Sequence, residues 1–210
     1  MTFVTLVSGG IDSLVMTKII ENDGEKQVTL FIDYGQLARE REWTACKYIF
    51  KECKLPEPVK VDLHGYGQLM PVGITDPKKD IKSEAFLPGR NLLFLVVGAS
   101  YAHFIGADKV AIGLLTEKYH LFPDQTEKSI VDTNFAVNES LNANISLVTP
   151  LINFTKSDVI KLAKHYKLPI EKTYSCHSGK EKYCGECISC KEILGAYEGD
   201  LLPQFKHGGN

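Results

Sequence analysis

The stretch Val7-Ser8-Gly9-Gly10-Ile11-Asp12-Ser13 most limits what this chain can become. Residues 1–7 before it are apolar and β-branched enough for a buried strand, while Leu14, Val15, Ile19 and Ile20 recur at helical spacing after it. A strand, a tight loop and a helix are therefore expected in that order. Paired glycines let the backbone turn sharply and approach a ligand, and the following helix offers free N–H groups and a partial positive charge to an anion. Ser8 and Ser13 add hydroxyl donors. The same residues would also suit a turn capping an ordinary helix, with Asp12 as a favourable first-turn carboxylate. The loop lacks the lysine of the Walker pattern and the spacing of the dinucleotide fingerprint, so it belongs to neither common nucleotide loop.

The remainder of the chain keeps the same alternation. The order is a second strand at 28–32, a charged helix from 36 to 54, a short strand at 59–62, an apolar helix from 90 to 105, a strand at 110–113, a helix from 125 to 141, a strand at 145–148 and a helix opened by Thr155. Strands alternating with helices predict a doubly wound α/β fold with about five parallel strands. Residues 63–88 dissolve into glycine, proline and lysine and are expected to be a structureless loop, a candidate lid. Asp33-Tyr34-Gly35-Gln36 falls at the carboxyl end of the second strand, where open α/β sheets place ligands. Arg90 and Asn91 open the apolar helix, which sets a guanidinium fork and an amide beside a positive helix end. That arrangement suits a carboxylate or phosphate, or simply ties down a helix start.

Near the C-terminus Cys176, Cys184, Cys187 and Cys190 form C-x7-C-x2-C-x2-C. Two-residue gaps let thiolates converge on one tetrahedral ion, and Gly185 supplies the turn such a knuckle needs. Four sulfurs close the coordination sphere, which predicts a structural Zn²⁺ holding a small appendage at 171–210 against the main domain at 1–170. An iron–sulfur cluster uses the same thiolates, and spacing does not separate the two. Cys46 and Cys53 read as small apolar side chains on a helix.

At 210 residues the chain suits one substantial domain with an appendage. A formal charge of −2 and a pI near 6.3 give no basic field for wholesale nucleic-acid binding. No apolar run is long enough to cross a bilayer, and Met1 leads directly into the first strand, so a cytoplasmic protein without a membrane partner is expected.

The S-G-G-x-D-S loop resembles the pyrophosphate loop of the ATP-pyrophosphatases. Taken with D-Y-G-Q at 33–36, P-G-R-N at 88–91, F-P-D at 122–124, T-P-L-I-x-x-T-K at 149–156 and S-C-x7-C-G-x-C-x-x-C at 175–190, it resembles the 7-cyano-7-deazaguanine synthases of queuosine-precursor biosynthesis. The resemblance implies an ATP- and Mg²⁺-dependent ligase that adenylates the carboxylate of 7-carboxy-7-deazaguanine. Ammonia captures the acyl adenylate, and a second activation turns the amide into a nitrile. It implies catalytic roles for Ser8, Asp12, Ser13 and Arg90, and ATP contacts along Val7, Ser8, Gly9, Gly10, Ile11, Asp12 and Ser13 and at Asp33 and Tyr34. Substrate contacts would come from Gln36, Arg90, Asn91, Phe122 and Asp124, with Asp124 pairing donors on the purine-like ring. A homodimer is implied as well. Typical members continue D-Y-G-Q with Arg-His and Pro-Asp with Cys-Arg, whereas this chain has Leu37-Ala38 and Gln125-Thr126, where the acceptor is expected to lie. Three alternatives follow. One is a homologue, as in anti-phage defence, that couples a deazapurine or other carboxylate to a different amine. The second is a tRNA-thiolating ATP-pyrophosphatase, which would need a catalytic cysteine or an RNA-binding extension that is not evident. The third is a nucleotide-binding sensor.

Overall fold

The computed structural model describes residues 1–116, 118 and 121–197. Its centre is a five-stranded parallel sheet of β1 (Thr2–Val7), β2 (Lys26–Asp33), β3 (Val59–Asp62), β4 (Lys109–Ala111) and β5 (Ser146–Val148), in the order β3-β2-β1-β4-β5. The chain lays down β1, β2 and β3 outward in one direction, then crosses back to add β4 and β5 on the other side. The order thus reverses between β1 and β4, and ligands of open α/β sheets bind in the crevice at such a point.

Successive side chains of a strand face opposite ways. Phe3 and Val7 of β1 join one apolar cluster and Val4 and Leu6 the other, so both faces of the sheet must be covered. Four helices supply the first cover: α1 (Ile11–Asn22), α2 (Arg39–Glu52), α6 (Lys156–His165) and α7 (Ile188–Ala196). The second face is covered by α4 (Arg90–Ile105) and α5 (Glu127–Leu141). Thr155 caps α6 by accepting from the Asp158 N–H while the Asp158 carboxylate accepts from the Thr155 N–H, a reciprocal capping box at the helix start expected at Thr155.

Two expectations are corrected. The segment 63–88 is not structureless, because it forms α3 (Gly65–Leu69) and hydrogen-bonded turns and buries Ile74, Ala85 and Leu87. The Ile74 carbonyl accepts the Leu37 N–H at 2.8 Å, so the segment is docked as a wall and does not hang as a lid. The apolar run at 90–105, with no polar face in its sequence, predicts a central helix enclosed all round, yet α4 is only partly enclosed. Leu95, Ala99 and Ala102 are buried, whereas Leu92, Val96 and Phe104 are exposed, as are Val131 and Phe135 of α5. Among the described residues no helix is long and apolar enough to cross a membrane.

Candidate active site

The crevice at the β1/β4 reversal is a cavity of about 280 Å³, near the lower end of small-molecule pockets (roughly 300–1,000 Å³). Val7, Ser8, Gly10, Asp12 and Ser13 form its floor. Gly9 turns with φ of +77°, and a Cβ there would lie 2.3 Å from the Glu42 carbonyl, so only glycine lets the loop lie against α2. Ser8 and Ser13 hold the turn closed. The Ser8 N–H donates to Ser13 Oγ at 3.2 Å, the Gly10 N–H to Ser8 Oγ at 3.3 Å, and Ser13 Oγ donates to the Gly10 carbonyl at 3.1 Å. Gly9 and the buried Ile11 are absent from the lining: Gly9 packs on α2, and Ile11 anchors α1 in the core.

Behind the loop lies a charge cluster of which the sequence offered only one half. Lys156, whose side chain is 3% exposed, places Nζ 2.6 Å from Asp12 Oδ2 and 3.4 Å from Glu192 Oε2. Burial alone would lower the lysine pKa, but the two carboxylates outweigh it and hold the group above its ordinary value. The other Asp12 oxygen, Oδ1, is buried without a hydrogen-bond partner. Lys156 belonged to a recognised motif, yet only the fold reveals that it meets Glu192 of α7.

The opposite wall is built from β2, α2 and α4. Arg90 carries its guanidinium 5.9 Å from the Tyr34 ring centre, and Tyr34 packs in turn on Phe94. Burial pushes the Tyr34 hydroxyl up to about 12, which keeps it neutral. Gln36 is almost completely buried, accepting the Tyr34 N–H at 2.9 Å and donating to Glu42 Oε2 at 2.9 Å. Glu42 escaped the sequence reading, because a glutamate on a charged helix gives no signal. In the fold it lines the cavity, burial pushes its carboxyl up to about 7, and it accepts a hydrogen bond from Gln36.

Asn91, Phe122 and Gln125 also line the cavity. Asp124 and Asp33 do not. One Asp124 oxygen accepts the Asn91 N–H at 3.0 Å, which ties the start of α4 to the 3-10 turn Pro123–Gln125. Asp33 is held by Lys60 at 2.9 Å and the Gly35 N–H at 3.1 Å, and these contacts bring its carboxyl below the usual range even though burial opposes them. The Leu37-Ala38 pair is also outside the cavity. Ala38 packs in a cluster with Tyr174, Cys176, Cys187 and Cys190, so this departure lies against the cysteine knuckle, whereas Gln125 does face the cavity.

The four cysteines converge, with all sulfurs within 4.8 Å of one another and three of the four residues buried. Four thiol sulfurs this close and facing one point fit a tetrahedral metal ion. The knuckle reaches the cavity at both its ends, through Tyr174, Ser175 and His177 around Cys176 and through Ile188, Ser189 and Glu192 around Cys190. His177 Nδ1 is buried without a partner, and burial, with the Arg90 charge, lowers the imidazole to about 4.

Known proteins match this arrangement along nearly its whole length. The family model described as Queuosine biosynthesis protein QueC matches residues 2–200. The 7-cyano-7-deazaguanine synthase of Prochlorococcus marinus (strain MIT 9515) is 35% identical over 211 residues, covering 93% of this chain and 92% of that protein. The synthase of Methanobrevibacter smithii is 32% identical with the same coverage. Among solved structures, an NMN synthetase from Francisella tularensis superposes with a TM-score of 0.54 at 16% identity, over 93% of this chain and 72% of that one. A 4-thiouridine synthetase, solved with RNA and bound ATP, gives 0.52 at 18% identity, over 93% of this chain and 49% of that one. These two likenesses establish the fold, and the sequence matches establish kinship: this chain belongs to the QueC family of queuosine biosynthesis proteins.

Proposed function

We propose that the protein is an ATP-dependent ligase that adenylates the carboxylate of 7-carboxy-7-deazaguanine and converts it with ammonia, through the amide, to 7-cyano-7-deazaguanine. The observation that carries this reading is one continuous cavity joining the Ser8–Ser13 loop to Arg90 over Tyr34. Loop amides and the Ser8 and Ser13 hydroxyls hold the β- and γ-phosphates of ATP, with Tyr34 on the nucleotide side. Arg90 takes the acceptor carboxylate and keeps its oxygen in line with the α-phosphorus. That oxygen forms a bond to phosphorus as the bond to pyrophosphate breaks. Ammonia then adds to the acyl carbon, AMP leaves and a proton is lost, giving the amide. In the second round the amide oxygen attacks the α-phosphorus of another ATP, and departure of AMP with loss of the remaining amide protons leaves the nitrile. The contribution of the chain is orientation and fixed positive charge around in-line displacement.

Asp12 is the oxygen donor placed for Mg²⁺, its unpartnered Oδ1 fitting a hard cation. When bound, the ion neutralises charge on the pyrophosphate leaving group. The four cysteines would hold Zn²⁺ as a closed structural site. Asn91 and Phe122 shape the acceptor end, with Phe122 stacked on Phe86 at 4.9 Å. Since Asp124 is engaged at the start of α4, the carboxylate best placed to pair ring N–H groups is Glu42, held in position by Gln36. The exposed apolar residues of α4 and α5 suit a homodimer contact.

The test is incubation with ATP, Mg²⁺ and 7-carboxy-7-deazaguanine, with and without ammonium, followed by mass spectrometry. Nitrile that forms only when all are present supports the reading. Absence of any acid-dependent AMP would refute it.

A further inference from the structure

A lysine in the first turn of a helix is badly placed, because it sets a positive charge beside the positive helix end. Lys156 occupies the first residue of α6 and is also almost completely buried, so only strong local compensation explains it. That compensation comes from two segments remote in sequence: Asp12 in the loop and Glu192 in α7. Glu192 stands two residues after Cys190, on a short helix whose capping residue is Cys187. Ile193 packs in the same apolar cluster as α1 and α6, and Ser157 Oγ donates to the Ala196 carbonyl at 3.3 Å. On its other side the knuckle grips the loop through backbone. The Tyr174 N–H donates to the Gly9 carbonyl at 3.0 Å, and Ser175 Oγ lies 3.1 Å from where a Cβ on Gly10 would stand.

We infer that the cysteine knuckle is a positioning device for the nucleotide loop, acting through the relay Cys190–Glu192–Lys156–Asp12. Glu192 is its positioning residue. The metal fixes α7, α7 fixes Glu192, and Glu192 sets how Lys156 orients the Asp12 carboxylate at the floor of the cavity. A closed four-sulfur site has no open position for substrate, so its influence on the reaction must pass through protein, and this is the charged path that leads from it to the loop. The inference rests on the proposed use of ATP at that loop.

Equilibrium binding of the α,β-methylene analogue of ATP, with Mg²⁺ and no acceptor, tests it without turnover. Glu192→Gln should retain one metal per chain and weaken analogue binding by about tenfold; in Asp12→Asn, the same substitution should cost less than about twofold, the non-additivity of a shared network. The exposed Lys191→Ala on the same helix is the control and should bind as the parent does. Should Glu192→Gln fail to fold, Glu192→Asp, which keeps the charge and shortens the reach to Lys156, gives the same cycle with and without Asp12→Asn. The spectrum of the Co²⁺-loaded protein adds a readout that a purely structural role would not move. Its visible d–d bands should shift on analogue binding in the parent chain and stay fixed in Glu192→Gln. Independent losses that multiply, or unchanged binding in Glu192→Gln, overturn the relay. A parent chain that does not bind the analogue at all overturns the ATP reading instead, and the relay with it.

Discussion

At one end of the cavity Ser8, Gly10 and Ser13 hydrogen-bond one another within a single turn of chain, and the charge behind them is fixed by a buried lysine. At the other end Arg90 rests over a tyrosine ring, and Asn91 is tied through its backbone to a carboxylate thirty-three residues away. The loop end is thus organised before any ligand arrives, by contacts local enough to be encoded in one motif. The Arg90 end is assembled from β2, α2, α4 and the turn at Pro123–Gln125. This difference fits a shared chemistry at one end and a particular acceptor at the other.

Substitutions that break the loop end should have the largest effects. Ser13→Ala or Asp12→Ala should abolish turnover, with losses of about a hundredfold or more of the kind seen when a transition-state donor is removed; steady-state pyrophosphate release measures this. Lys156→Met removes the cation shared by two carboxylates and should cost roughly 3–5 kcal/mol of stability by urea unfolding, the penalty for breaking a buried ion pair. A loss under about 1 kcal/mol would mean that the cluster is wetter than its burial indicates.

The Arg90 end should respond more selectively. Arg90→Lys retains charge but loses the planar fork, so kcat/KM for the acceptor should fall about tenfold to a hundredfold while the KM for ATP stays within about twofold. Equal losses toward both substrates would erase the distinction between the two ends. Asp124→Asn should cost only about 1 kcal/mol, because it weakens one capping bond on a half-buried site and removes nothing from the cavity. A further effect concerns pH. Glu42 is raised from 4.5 to about 7 by burial, so between those values the folded chain holds a proton that the unfolded chain has released. Its contribution to stability therefore falls as pH rises from about 4.5 to about 7. Glu42→Gln should flatten that slope in unfolding curves recorded across the range.

The two ends also differ in how far residue order disclosed them. The loop, the five strands and the converging cysteines were legible because each rests on short-range chemistry: apolar periodicity, a glycine at positive φ, paired two-residue gaps. Glu42 and Glu192 were not. Each is an ordinary helical glutamate until the fold brings it to Gln36 or Lys156. Asp33 and Asp124 carry the converse signal. Carboxylates beside recognised motifs read as ligand groups, yet the fold uses one to hold β3 and the other to start α4. The segment 63–88 read as structureless because its anchors, Ile74 and Leu87 among them, are too sparse to make a period.

The central claim is that a carboxylate oxygen attacks the α-phosphorus of ATP in this cavity. Its most direct test supplies 7-carboxy-7-deazaguanine with both carboxylate oxygens replaced by ¹⁸O and follows the label by mass spectrometry in the presence of ATP and ammonium. Adenylation transfers one ¹⁸O to AMP in the first round and the second to another AMP as the nitrile forms. AMP without label, or label appearing in inorganic phosphate beside ADP, would contradict the account.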